Sequence, residues 1–378
     1  GEWEMSSIGE QFELYSGNTP SRMNKNQFDG SINWITSGEL KEHYISDTKE
    51  KISEEAAKNN SLKLLPVGTF VIAIYGLEAN GVRGTCSITT RESTISQACM
   101  AFTSKMDIQN EFLYSWYKKH GNIIGIKYAQ GTKQQNLSYD IIERFNISYP
   151  CMEEQKKLIR FISLIDQRIA TQNKIIEDLK KLKSAIIEIE YSPKDSYHSH
   201  IGGAIVQISK RNKDNHLCNV LSVSNRQGFI KQSEQFEDRN VASDDTSNYK
   251  IVEKNDFAYN PARINVGSIA RLTKFETGIV SPMYICFRTK DCLLPEYLEL
   301  FFESRNFFYH IQKRLEGSVR LCLSYEELCN IPIVIPSIEK QKQVDLHLSK
   351  LAQKIDLEMK ILQFVQQQKT YLLHQMFI

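Results

Sequence analysis

Several loops of this 378-residue chain concentrate side chains that hydrogen-bond along planar, polar edges. In the first half they are Ser16 to Arg22, Thr36 to Glu39, Glu78 to Arg83 and Gly131 to Gln135. In the second they are Ser224 to Gly228, Ser243 to Tyr249, Asn260 to Gly267 and Gly317 to Arg320. Asn and Gln offer a donor beside an acceptor and arginine a planar donor fork, chemistry that suits base edges and phosphates. The same residue types build ordinary turns, so both readings stand at this point.

Covalent and metal chemistry have little support. No Gly-x-x-x-x-Gly-Lys-Ser/Thr phosphate loop and no Gly-x-Gly-x-x-Gly dinucleotide turn occurs. His198 and His200 have no acidic or cysteine neighbour at ligand spacing and read as a polar linker. Tyr259-Asn260-Pro261-Ala262-Arg263 approaches the Asn-Pro-Pro-aromatic run with which DNA amino-methyltransferases hold a flipped base. Ala262 replaces the second proline, Arg263 replaces the aromatic, and no glycine-rich cofactor loop accompanies them. No methyltransferase site is expected. The eight cysteines are scattered without a Cys-x-x-Cys pair, several within apolar runs, so buried, reduced thiols in a cytoplasmic protein are expected. Lys and Arg number 47 against 45 Asp and Glu. That near-neutral balance is weak for a stand-alone nucleic-acid binder and leaves phosphate contact largely to partners. No apolar run approaches a membrane span, and no charged leader precedes one. The chain opens at Gly1 rather than Met, so further N-terminal residues are expected ahead of it.

The elements that must position these loops occur twice, at one constant offset. Leu137-Ser138-Tyr139-Asp140 returns as Leu323-Ser324-Tyr325-Glu326, Pro150 as Pro336, and Glu153, Gln155 and Lys156 as Glu339, Gln341 and Lys342. Two copies imply two similar halves, each a globular unit followed by a long helix. Leu158, Ile162, Ile165, Ile169, Ile176 and Leu179 form a heptad seam that runs on to Ile186. Val344, Leu348, Leu351, Ile355, Leu362 and Val365 form its counterpart, running on to Leu372. A seam of about four to five heptads predicts a coiled coil, and a helix of ~35–40 residues would be roughly 50–60 Å long. Both seams are interrupted at matched places, by Gln172/Glu358 and Lys183/Lys369, where polar residues set register. Thr69 to Tyr75 reads as a buried strand, with Ala98 to Phe102 and Tyr284 to Phe287 as an equivalent pair. Glu111 to Tyr117 and Glu296 to Phe302 have helical spacing and read as packed core.

These runs carry a family resemblance. Ser16-Gly17-Asn18-Thr19-Pro20-Ser21, Trp34 to Leu40, Gly68 to Gly76 and Ser96-Gln97-Ala98-Cys99 resemble the target recognition domain of type I restriction–modification specificity subunits. Asn18 stands where that pattern more often has glycine. Val220 to Gly228, Ser247 to Ile251 and Phe257 to Gly267 resemble a different subgroup of the same domain. The expected fold is α+β: two mixed α/β target recognition domains joined by two long helices in an antiparallel coiled coil, with an internal pseudo-twofold repeat. The expected segments are domain 1 over 1–150, helix 1 over 151–191, domain 2 over 192–336 and helix 2 over 337–378.

The resemblance implies a non-catalytic subunit whose two domains each read one half of a split site in double-stranded DNA. It implies that the paired helices set the gap and that two methyltransferase subunits dock beside them to methylate adenine at N6. S-adenosylmethionine would belong to those partners, and nuclease–translocase subunits would complete restriction. Because the two domains differ, the target should be asymmetric. The residues chosen for DNA contact are Thr36, Ser37, Tyr75, Asn80, Arg83, Lys133, Gln134 and Gln135 in domain 1. In domain 2 they are Asn225, Arg226, Gln227, Tyr249, Asn260, Arg263, Asn265 and Arg320. Gly131 and Gly317 are expected to set loop shape. The alternative is a coiled-coil scaffold that has lost DNA reading.

Overall fold

The computed structural model describes residues 2–105, 107–192, 199–225, 227–235, 245–316 and 321–377. It divides into two compact units, Gly1–Asn173 with Ile361–Ile378, and Lys174–Lys360. The boundaries fall inside the two long helices.

In the first unit, β1 (Glu4–Ser7) pairs antiparallel with β10 (Asn146–Tyr149). A five-stranded sheet has the order β2-β9-β6-β7-β4, formed by Phe12–Ser16, Cys99–Ser104, Phe70–Ala73, Cys86–Thr89 and Tyr44–Ile45. A three-stranded sheet has the order β5-β3-β8, formed by Lys51–Ile52, Ile32–Ile35 and Ser93–Ile95. The Phe-Val-Ile-Ala of β6 is buried along its whole length, as a central strand covered on both faces requires. Helix α1 (Asn110–Tyr128) packs across this sheet and buries Phe112, Leu113, Tyr114, Trp116 and Tyr117. The aromatic run Glu111 to Tyr117 is therefore core.

The second unit holds two four-stranded sheets. One has the order β11-β18-β15-β16, from Ile205–Ile208, Ile285–Thr289, Phe257–Tyr259 and Ile269–Arg271. The other has the order β13-β12-β17-β14, from Gly228–Lys231, Val220–Ser224, Thr277–Val280 and Lys250–Glu253. Helices α3 (Pro295–Phe302) and α4 (Arg305–Arg314) close its core with Phe301, Phe302 and Phe307.

The long helices are α2, Met152–Glu190, and α5, Ile338–Met376, each of 39 residues. Every seam residue named above is buried or half-buried. Within the first unit the start of α2 lies beside the end of α5. Leu158, Ile162 and Ile165 join one core with Leu373, Met376 and Phe377, and Asp166 pairs with Lys369 at 2.5 Å. Within the second unit the end of α2 lies beside the start of α5. Ile186 and Ile187 share a core with Val344 and Leu348, and Glu190 meets Lys340. The pairing is antiparallel in each unit.

The repeat extends to a buried lock. Gln155 and Gln341 are both fully buried in the first turn of their helices. Gln155 Nε2 donates to the carbonyls of Asp107 (2.7 Å) and Pro150 (3.0 Å), and its Oε1 accepts from Gln109 N–H. Gln341 makes the same three bonds, donating to Cys292 and Pro336 and accepting from Leu294 N–H. Each amide ties a helix start to the loop that precedes the aromatic helix of its own domain.

Candidate nucleic-acid interface

In the first unit two loops meet beyond the end of β6. Leu137 N–H donates to Ile74 O, Leu77 N–H to Gln135 O at 3.0 Å, and Gly76 N–H to the Asn136 side chain. The Glu78 carboxylate accepts Gln135 N–H at 2.7 Å, and that bond holds its pKa below the usual carboxylate range. Gln135 Oε1 in turn accepts from Arg83 Nη2 at 2.5 Å. The stem of Arg83 lies across α1 at Gly125, where an added Cβ would stand 2.5 Å from Arg83 Cγ. Gly131 turns the second loop at φ +107, with a virtual Cβ 2.1 Å from Gln134 O, so only glycine fits there. Tyr75, Asn80, Arg83, Lys133, Gln134 and Gln135 thus belong to one fused loop cluster, with Asn80, Lys133 and Gln134 exposed. The geometry gathers a half-buried guanidinium, an exposed ammonium and amides in one loop cluster.

Thr36 and Ser37 stand apart from that cluster. The Thr36 N–H and hydroxyl both donate to Glu39 Oε2 at 2.9 Å, forming a capping box over the short helix Ser37–Glu39. The side chain chosen for a base edge is committed to the Glu39 carboxylate within its own turn.

In the second unit Asn225, Gln227, Arg263 and Asn265 are exposed on the loops after β12 and β15. Arg226 and Arg320, with Gly317 and His198, lie outside the described residues. Tyr249 and Asn260 are buried, at 9% and 7% exposure, so neither reaches a groove surface directly. Asn260 Oδ1 accepts Ala262 N–H at 3.1 Å and shapes the turn that presents Arg263. Both line a pocket of about 280 Å³ between the ends of β12, β15 and β17, together with Ser222, Arg263, Ser281 and Met283. Ser222 and Met283 escaped the sequence reading. Ser222 lies inside an apolar strand pattern, and Met283 reads as one more hydrophobe after Pro282. Tyr259 of the decoy motif is fully buried and donates to Leu323 O, a core position.

Among the described residues no group of three His, Cys, Asp or Glu side chains is placed to hold a metal. Burial pushes the thiols of Cys86, Cys99 and Cys286 up to about 12. Cys151, Cys218 and Cys292 are exposed, against the expectation of burial: they fall in loops at element boundaries, where little packs over them. No described helix is long and apolar enough to cross a membrane.

This architecture has solved counterparts. The S subunit of a type I restriction–modification system from M. genitalium superposes with a TM-score of 0.56, covering 100% of this chain and 96% of that one at 15% identity. The HsdS subunit from Thermoanaerobacter tengcongensis gives 0.52 at 12% identity, covering 98% and 95%. The fold is that of type I specificity subunits. In sequence, residues 1–181 match the family described as type I restriction modification DNA specificity domain. The specificity subunit of type I restriction enzyme MjaIX from Methanocaldococcus jannaschii is 28% identical over 199 residues, 51% of this chain and 45% of its own length. That of EcoR124I/EcoR124II from Escherichia coli is 27% identical over 185 residues, 48% and 44% respectively. The chain thus spans less than half the length of these relatives. Residues 1–181 thus match a type I restriction–modification DNA specificity domain, and the whole chain has the fold of the specificity subunits.

Proposed function

We propose that this chain is the DNA-reading subunit of a type I restriction–modification complex and catalyses nothing itself. The observation that carries the reading is the repeat of a complete unit: a mixed α/β domain with polar loops, locked by a buried glutamine to a 39-residue helix. Two such domains with unlike loops suit a split, asymmetric target in double-stranded DNA. Arg83 with Lys133 would meet one half-site and Arg263 with Asn225 and Asn265 the other, arginine being the favoured reader of guanine. Two adenine-N6 methyltransferase subunits would dock along the helices and bring S-adenosylmethionine. They would also supply the phosphate contacts that a chain of near-neutral charge lacks. Nuclease–translocase subunits would add restriction, in the cytoplasm where the DNA is.

The test is selection from random duplex DNA with the chain co-purified with its methyltransferase. Two short, unlike sequences at one fixed spacing are expected. A stable complex that recovers no sequence would leave the chain a protein scaffold and withdraw every base contact named here.

A further inference from the structure

The near-neutral charge of the chain is unevenly spread, and one loop of the second unit concentrates cations. Lys210, Arg211 and Lys213, between β11 and β12, are all exposed, with Asp214 the one acid beside them in the run. Among the described residues none of the three forms an ion pair; Arg211 Nη1 donates to the neutral Asn248 side chain at 3.1 Å. Cations gathered this closely repel one another, and no carboxylate bonded to them offsets the cost.

The loop is nevertheless held firmly. Asn212, between Arg211 and Lys213, is fully buried. Its Nδ2 donates to Leu217 O at 3.0 Å and Thr246 Oγ1 at 3.3 Å, and its Oδ1 accepts Leu217 N–H at 3.2 Å. Asn212 N–H donates to Tyr249 O, and Ile251 N–H to Lys210 O at 2.8 Å. Asn215 Oδ1 accepts Thr246 N–H. A loop ordered in advance loses little freedom when its side chains bind. The first unit shows that the fold does not demand this charge. There too a four-residue helix leads into a strand, Ile8–Gln11 into β2, as Ile201–Ala204 leads into β11. After β2 the stretch Gly17-Asn18-Thr19-Pro20-Ser21 is uncharged, and the next cation, Arg22, is taken by Glu50 at 2.6 Å.

Sheet register places the loop. Ile208 of β11 and Ala258 of β15 both pair with Cys286 of β18, and both pairings are antiparallel. β11 and β15 therefore leave the sheet at the same end, one on each side of β18. Two strand spacings of about 4.8 Å set the two exits roughly 10 Å apart. The loop after β15 carries Arg263 and Asn265, the residues assigned to base contact. A separation of that order leads from base edges in a major groove about 12 Å wide to the phosphates along its wall.

We propose that Lys210, Arg211 and Lys213 form a phosphate clamp that grips the duplex backbone beside the second half-site. The inference rests on the DNA-reading function and deepens it: the loop after β15 specifies, and the loop after β11 positions. It also gives the second unit a phosphate grip of its own, which its partners supplement.

The test is the salt dependence of binding. The full chain, in complex with its methyltransferase, is titrated with its selected duplex between about 50 and 200 mM salt. It is compared with a variant that combines Lys210→Gln, Arg211→Gln and Lys213→Gln. Each phosphate contact contributes about 0.9 to the slope of log affinity against log salt, so the slope should fall by roughly 2–3. The fourfold rise in salt should then cost the variant about 40-fold less affinity than it costs the natural chain. Bases selected at both half-sites should stay the same, and melting of the second unit should not move, since only exposed side chains change. A slope that falls by less than about 0.9 overturns the clamp and leaves DNA reading intact. A fall accompanied by relaxed choice at one base overturns it as well, and makes the loop a base reader. If selection recovers no sequence at all, the DNA-reading function fails and takes this inference with it.

Discussion

Thr36 and Arg83 show how two residues chosen for the same chemistry separate once their partners are known. Thr36 spends its hydroxyl and its N–H on Glu39, whereas Arg83 is braced by Gln135 and lies over Gly125 in a loop cluster whose tip residues are exposed. Thr36→Ala should therefore lower stability by about 1 kcal/mol, the usual cost of a lost N-cap, and leave base preference unchanged. Arg83→Ala should relax one position of the first half-site by about 1–3 kcal/mol of discrimination. Thermal melts and selection on both variants check the pair. Equal weakening on all sequences by Arg83→Ala would reassign it to a phosphate. At this scale the sequence shows which loops are polar but not which polar atoms are already bonded. Tyr249 and Asn260 look as available as Asn225 in one dimension; only the strand packing around them reveals that they are recessed.

At the scale of elements, heptad spacing made the two helices legible, and the strands around Phe70 to Ala73 were legible as a β-rich run between glycines. Which strands pair was not, because β3 lies parallel to β8 and β4 parallel to β7 across long sequence separations. The glutamine lock was hidden for a different reason. A glutamine in the first turn of a helix reads as solvent-facing, and only its return as Gln341 hinted at more. Gln155→Leu removes the partners of two carbonyls and one N–H in a dry site. At about 1–3 kcal/mol per orphaned group the first unit should lose about 3 kcal/mol or more. Gln341→Leu should do the same to the second unit. Unfolding followed by hydrogen exchange in each unit separates the two effects. A loss of a few tenths in either variant would mean that water replaces the amide without cost.

For the whole molecule, the last helix belongs to the first domain as much as to the second. Phe377 is fully buried against Phe112, with ring centroids 5.1 Å apart, and Lys119 donates to the carbonyls of His374 and Phe377. Tyr191 occupies the matching place at the end of α2, its ring tilted against Tyr297 with centroids 4.9 Å apart and its hydroxyl donating to the Tyr297 carbonyl. A domain boundary drawn along the sequence assigns Phe377 to a helix tail. In the fold it is core, so Phe377→Ala should destabilise the first unit by about 3–5 kcal/mol, measured by its melting. The function proposed above makes the paired helices the gauge of a split site. Inserting two heptads at matched positions in α2 and α5 preserves the seam, because the 3.5-residue repeat is kept. Fourteen residues at about 1.5 Å each add roughly 21 Å, and at about 3.4 Å per base pair the selected gap should lengthen by about 6 base pairs. Both half-site sequences should stay as they were. An unchanged gap would remove the helices from spacing and leave them to partner binding alone.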